Sequence, residues 1–276
     1  MLPLAIDLFC GLGGWTDGLL AEGYYVVGFD IERHDYGDGK RYPAQLVIQD
    51  VRTIHGKQFK GAALIVASPP CQEYSYMAMP WSRAKAIAAE YRTGKRDVKD
   101  LTRLFNECFR IQREASEAAG HKVPMVVENV RGAQPWVGRA KWNFGSFYLW
   151  GDVPALMPIG HHRKLPPAIS ASIRAGKSPA HWTNPAEHYF DGMKQRGSGR
   201  EWFAGEGKIS RVTSSKSTAR KAASTAIAKI PFALAQHIAR VYRPTHGRAP
   251  RPTSFCDASA SSPEPGADGS GREHTR

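Results

Sequence analysis

Leu4-Ala5-Ile6-Asp7-Leu8 runs without a break into Phe9-Cys10-Gly11-Leu12-Gly13-Gly14, and this junction decides the fold. The mostly apolar first part reads as a buried strand. The glycines after it let a strand-to-helix turn pass close to a ligand, because a residue without a Cβ leaves the backbone open to it. Gly18-Leu19-Leu20 then continues on a helix. Outward from this unit, short apolar runs at residues 25–29, 46–49, 63–67 and 125–128 read as further strands, with helical stretches between them. Such alternation makes a parallel sheet covered by helices on its faces. The expected fold is therefore α/β, doubly wound and Rossmann-like.

Between the last two runs lies a strong helical pattern. Leu101, Leu104, Phe105, Cys108, Gln112 and Ala115 recur at helical spacing, Asp100 is placed to cap the start, and Gly120 ends it. Cys108 on that stripe reads as core. After residue 153 Pro, Gly, His and Arg accumulate and no element is assigned up to about 218. Ile227, Ile230, Leu234, Ile238 and Val241 restore a helical stripe, with Pro231 placed to kink it or to start a new helix. Residues 245–276 are rich in Pro, Ser, Gly and Ala and are expected to form a disordered tail.

The chain has 276 residues, a net charge of +13 and four cysteines. The excess of Lys and Arg suits a polyanionic partner, because basic clusters gain affinity by displacing condensed counterions. Cys10, Cys71, Cys108 and Cys256 form no CxxC pair, and His161-His162 has no carboxylate or thiol at ligand spacing, so no metal is expected. No apolar run has the length of a membrane span, and an acid at position 7 comes too early for a signal peptide, so a cytoplasmic location is expected.

The chemistry gathers at the carboxyl ends of the strands. Asp30 closes the second strand, where doubly wound folds place a carboxylate on ribose hydroxyls, and Asp50 follows the third. An adenosine-containing cofactor fits, whether a dinucleotide or S-adenosylmethionine. At the end of the fourth strand stands Ser68-Pro69-Pro70-Cys71-Gln72-Glu73-Tyr74-Ser75. Two prolines hold a thiol toward a cleft there, although the residue alone leaves a nucleophile and a packing cysteine both open. The fifth strand brings Glu128-Asn129-Val130 to the same edge.

The glycine turn at 7–14, Pro70-Cys71-Gln72 and Glu128-Asn129-Val130, in that order, resemble the DNA cytosine-C5 methyltransferase family. The resemblance covers roughly the first 150 residues and the helix near 227–242. It implies S-adenosylmethionine as cofactor, double-stranded DNA as partner, a monomer, and Cys71 as a nucleophile toward carbon 6 of a flipped-out cytosine. Glu128 would stabilise charge on the ring, with Gln72, Ser75 and Asn129 completing the catalytic set. Phe9 and Ile31 would flank adenine, Gly11 and Gly13 would line the methionine part, and Asp30 and Asp50 would hold ribose and adenine. Asp7, Gly14 and Pro70 would belong to the same cofactor site.

The chain departs from the family in two places. The family's Gln-x-Arg-x-Arg motif is absent, and Arg139 or Lys141 is the candidate substitute. The late Gly-Asn-Ser/Ala-Val motif is replaced by Ile227-Ala228-Lys229-Ile230, which raises the idea that Lys229 meets a carboxylate on the cofactor or on a cofactor derivative. The implied organisation is a catalytic domain at 1–153, a small DNA-recognition region at 154–218, a helical segment at 219–244 completing the catalytic domain, and the tail. Arg211, Lys216, Arg220 and Lys221, among serines and threonines, make a strip suited to DNA phosphates. The compact chain also resembles phage or prophage members of the family. Three other readings compete. An NAD(P)-dependent oxidoreductase gives Cys71 beside Glu128 no role, an exocyclic-amine methyltransferase would use Ser68-Pro69-Pro70 with an aromatic residue at position 71, and a silent DNA-binding protein would keep only the fold.

Overall fold

The computed structural model describes residues 2–35, 41–72, 74, 81–158, 225 and 228–244. Seven strands form one sheet: β1 (Leu4–Leu8), β2 (Tyr25–Asp30), β3 (Gln45–Ile48), β4 (Ala62–Ala67), β5 (Met125–Asn129), β6 (Trp142–Phe144) and β7 (Phe147–Gly151). Their order is β3-β2-β1-β4-β5-β7-β6. β1 to β5 are parallel, and β7 runs antiparallel to both β5 and β6. The first five strands fall within a residue or so of the expected runs. The β6–β7 hairpin is an addition, because three and five residues around Gly145-Ser146 are too short for periodicity to register.

β4 and β5 are buried almost throughout. Strands covered on both faces need apolar side chains on both, which is why they read as continuous apolar runs. One face is covered by helix α3 (Val98–Ala119), whose Leu101, Phe105, Cys108, Ile111 and Ala115 pack on Ile65, Met125 and Val127. Asp97, not Asp100, caps this helix: its carboxylate accepts from the Lys99 N–H at 2.8 Å, and Asp100 lies in the first turn. An Asp one turn inside a helix reads like a cap in sequence, and only backbone dihedrals separate the two. Gly120, at φ 70°, ends the helix as expected. Helix α2 (Trp81–Arg92), not expected from sequence, precedes α3, and a single helical turn, α4 (Gln134–Val137), follows β5.

The other face is covered by α1 (Gly14–Ala21) and α5 (Phe232–Tyr242). Pro231 stands at the N-cap with ψ 134°, so it starts a new helix and does not kink a longer one. Leu234, Ala235, Ile238 and Ala239 form the buried stripe, whereas Val241, expected on it, is 48% exposed. Gly18 lets the two helices touch, since a Cβ there would lie 2.4 Å from the Gln236 nitrogen. The Tyr24 hydroxyl donates to the Ala239 carbonyl at 2.9 Å, and Arg240 pairs with Glu22. Among the described residues, no helix is long and apolar enough to cross a membrane. The expected recognition region lies outside the described residues apart from 154–158, as does the expected tail.

Candidate functional site

Strand order reverses between β1 and β4, so the loops leaving their carboxyl ends diverge and open a crevice, the usual ligand position in such sheets. The glycine turn forms one lip. Phe9 (φ 57°), Gly11 (φ 51°) and Gly13 (φ 76°) all occupy the left-handed region. For Phe9 that conformation costs about 1 kcal/mol, a strain that clusters at ligand sites.

Beneath the turn, Asp7 is fully buried. Its Oδ2 accepts from the Thr16 hydroxyl at 2.7 Å, and the Tyr42 hydroxyl lies 2.6 Å from that same Thr16 oxygen. Asp7 Oδ1 is buried without a hydrogen-bond partner. Burial, opposed by the Thr16 hydrogen bond, pushes this carboxyl up to about 8. Tyr42 and Pro43 lie over the turn: a Cβ on Gly13 would come within 2.6 Å of Pro43 Cδ, and one on Gly28 within 2.2 Å of the Tyr42 hydroxyl.

Asp30 ends β2 beside the turn. Its Oδ2 accepts from the Gly11 N–H at 2.9 Å and lies 3.3 Å from His34 Nε2, and its Oδ1 accepts from the Ile31 N–H at 2.8 Å. Burial works against its charge, but the His34 and Gly11 hydrogen bonds hold the carboxyl below its usual value. Next to it Ile31 is 68% exposed, and a cavity of about 220 Å³ opens between Gly11, His34, Tyr42 and Leu46. Asp50 is held by Arg52, whose Nε donates to both carboxylate oxygens, and this hydrogen bonding lowers its pKa. The orphaned Asp7 oxygen, the glycine cradle and apolar Ile31 beside a carboxylate fit an adenosyl cofactor.

The Cys71 loop is the other lip, and it is anchored on several sides. The Ser68 N–H donates to Leu8 O at 3.1 Å, Trp15 Nε1 donates to Ser68 Oγ at 3.0 Å, and Asn129 Nδ2 donates to the Pro69 carbonyl at 2.9 Å. The Tyr74 N–H donates to the Cys71 carbonyl at 3.1 Å, and the Tyr74 hydroxyl to Leu101 O at 2.6 Å. Pro69 is buried, Pro70 and Gln72 are exposed, and Cys71 is half-buried. Ser68 is thus tied to α1, which does not suit the amine-methyltransferase reading. Glu128, 8% exposed, precedes Asn129 at the end of β5. Asn129 therefore acts on the Cys71 loop through the backbone. Ser75, Arg211, Lys216, Arg220 and Lys221 lie outside the described residues.

Two expected substitutes go elsewhere. Side chains alternate along β5: Val127 packs in the α3 layer and Val126 in the α1–α5 layer, so Glu128 faces the latter with its register partner Leu149. Arg139 and Lys141 instead line a groove with Phe105, Arg110 and Trp150 on the α3 side. They do not converge on Glu128, because a whole strand, β7, separates β6 from β5. Lys229 Nζ pairs with Asp17 at 2.7 Å on the surface of α1, so its charge is matched within the protein and the carboxylated-cofactor idea is not carried further.

Trp15, Thr16, Tyr42 and Tyr74 were not singled out from sequence. Trp15 and Thr16 follow Gly14 directly and were detectable as the first turn of a helix leaving the glycine turn. Tyr42 carried no local signal, because only the tertiary fold brings it to Thr16.

Among curated proteins, none matches the sequence. Several solved structures do. A candidate DNA modification methyltransferase encoded within a prophage of E. coli is 21% identical over 48% of this chain and 33% of its own, with a TM-score of 0.31. The methyltransferase EhMeth of Entamoeba histolytica is 14% identical over 59% of this chain and 58% of its own, with a TM-score of 0.38. The Dnmt2 methyltransferase of S. pombe is 16% identical over 50% and 37%, with a TM-score of 0.31. The chain thus spans 33% to 58% of the length of these proteins. The family model for C-5 cytosine-specific DNA methylases matches residues 4–134, which include both lips of the crevice and the Glu128 strand. Over those residues, just under half of the chain, the sequence is similar to the C-5 cytosine-specific DNA methylase family.

Proposed function

We propose that this chain methylates carbon 5 of cytosine in double-stranded DNA, with S-adenosylmethionine as cofactor. The observation that carries the reading is the Asn129 side chain on the Pro69 carbonyl, which ties the Cys71 loop to the strand bearing Glu128. Gly11, Gly13, Phe9, Ile31 and Asp30 would hold the cofactor. When bound, it supplies an electrophilic methyl group.

The protein's own residues account for the rest. Carbon 5 of cytosine is a weak nucleophile. Addition of the Cys71 sulfur to carbon 6 forms an S–C bond and moves the ring's electron pair onto carbon 5. Glu128, holding a proton at the ring nitrogen, spreads the charge that develops. Once that electron pair has formed the bond from carbon 5 to the methyl group, loss of the carbon-5 proton to a base returns a pair to the ring, breaks the S–C bond and expels the Cys71 thiolate. Because a stacked base presents neither face to a thiol, the target nucleotide has to leave the duplex, with the loop from Cys71 through Ser75 closing over it.

Mass spectrometry of nucleosides from duplex DNA incubated with S-adenosylmethionine and wild-type, Cys71→Ser or Asn129→Ala protein tests this. The expected result is 5-methylcytosine from the wild type and none from Cys71→Ser. For Asn129→Ala, kcat should fall about 100-fold with KM little changed, the cost of a loop misplaced by roughly 1 Å. 5-Methylcytosine formed equally well by Cys71→Ser overturns the mechanism. No product from any duplex overturns the activity.

A further inference from the structure

Arg139 and Lys141, left without a role at Glu128, stand on one wall of an open groove of about 540 Å³. Arg139 and Lys141 both line this groove just ahead of β6. The opposite wall is α3, where Arg110 and Arg113 are neighbours on the helix surface, and Phe105 and Trp150 form an apolar floor. Arg110 is committed to Glu107 and Glu114 at 2.5 and 2.8 Å. Arg113 meets Glu117 only at 4.0 Å and is 65% exposed, while Arg139 and Lys141 make no ion pair among the described residues. Cations on both walls, three of them loosely held or unmatched, outnumber the one lining carboxylate, Glu107, and make a site for a phosphate-bearing chain.

The groove is distinct from the crevice. Its floor residues Trp150 and Gly151 sit at the end of β7 that pairs with Val126 and Val127, away from the carboxyl edge where Asn129 pairs with Tyr148. Along α3 the groove runs from Phe105, about one turn from Leu101, the residue that anchors the Cys71 loop, to Arg113, roughly 18 Å from it.

We infer that this groove binds one strand of nucleic-acid backbone, in addition to the DNA held at the crevice. The inference rests on the reading of the chain as a DNA-handling protein, and it does not require catalysis. The net charge of +13 and the groove's volume of about 540 Å³, far less than a duplex occupies, favour a single strand.

The test is fluorescence anisotropy with a labelled oligothymidylate of about eight nucleotides, within the usual single-strand site size and lacking the target base. Wild-type protein is expected to bind it in a salt-dependent way. R113A/R139A/K141A should weaken binding at least about 10-fold and lower the log–log salt slope by about 2, three phosphate contacts at roughly 0.7 each. The charge-conserving variant R113K/R139K/K141R should retain binding, which guards against a folding defect. Binding unchanged in the alanine variant, or oligothymidylate displaced in full by one equivalent of cytosine-containing duplex, overturns the proposal. So does thymidine monophosphate binding as tightly as the oligomer, since the occupant would then be a free nucleotide. Failure of the wild type to methylate DNA would remove the catalytic reading and leave this measurement standing.

Discussion

With its carboxyl pushed up to about 8 by burial, Asp7 carries a proton at neutral pH and can lie beneath the glycine turn without a cation. The consequence for stability has a definite sign. The folded value lies above the ordinary 3.8, so the folded state holds the proton more tightly than the unfolded chain does. Asp7's contribution is fully present below about pH 4, declines as pH rises, and is lost once pH passes the folded value near 8. Asp7→Asn keeps an acceptor for Thr16 and removes the titration. The difference in Tm between wild type and Asp7→Asn is therefore expected to shift in favour of the variant between pH 5 and pH 9, measured by thermal melts. A difference that stays flat over that window would mean Asp7 is ionised in the fold.

Among the elements, the contact between α1 and α5 is the most demanding. It joins residues more than two hundred positions apart, and it closes only because Gly18 has no side chain: a Cβ would meet the Gln236 nitrogen at 2.4 Å and the Ala235 carbonyl carbon at 2.5 Å. Backbone atoms cannot rotate away, so Gly18→Ala must separate the helices. A loss of about 1–3 kcal/mol is expected, the range for overpacking a close contact. Gly61 has open space around its Cβ position, and Gly61→Ala should change stability little. Denaturant midpoints of the two variants make the comparison, and similar losses in both would show that helix contact is not the cause. The same contact explains why Lys229 ends up beside Asp17: Gly14 and Gly18 draw the α5 segment down onto α1, and the lysine meets the nearest carboxylate.

For the whole molecule, the excess of basic residues predicts an affinity for DNA that falls steeply with salt. Lys216, Arg220 and Lys221, at the end of the recognition region and just after it, are expected to carry part of it. Neutralising all three should reduce the salt slope for duplex binding by up to about 3, at roughly 0.9 per phosphate contact. An unchanged slope, read from binding isotherms at several salt concentrations, would assign the duplex contacts to other residues. Independent losses at this strip and at the α3 groove would distinguish two polyanion sites from one.

The sequence by itself determined the α/β class, the five parallel strands and the order of the functional segments, because burial on both faces leaves apolar runs and glycines mark the turn below the crevice. It also identified Cys71, Glu128 and Asp30 as residues at strand ends, where short local patterns suffice. Only the tertiary structure decided what those residues touch. Asn129 on Pro69, Tyr42 on Thr16 and Trp15 on Ser68 join positions 26 to 60 residues apart, and no local periodicity records such contacts. It likewise decided which face Arg139 and Lys141 take. A residue type can be matched to a motif from sequence, but β-strand alternation and the placement of β7 between β6 and β5 carry these two cations to the α3 groove instead of to Glu128.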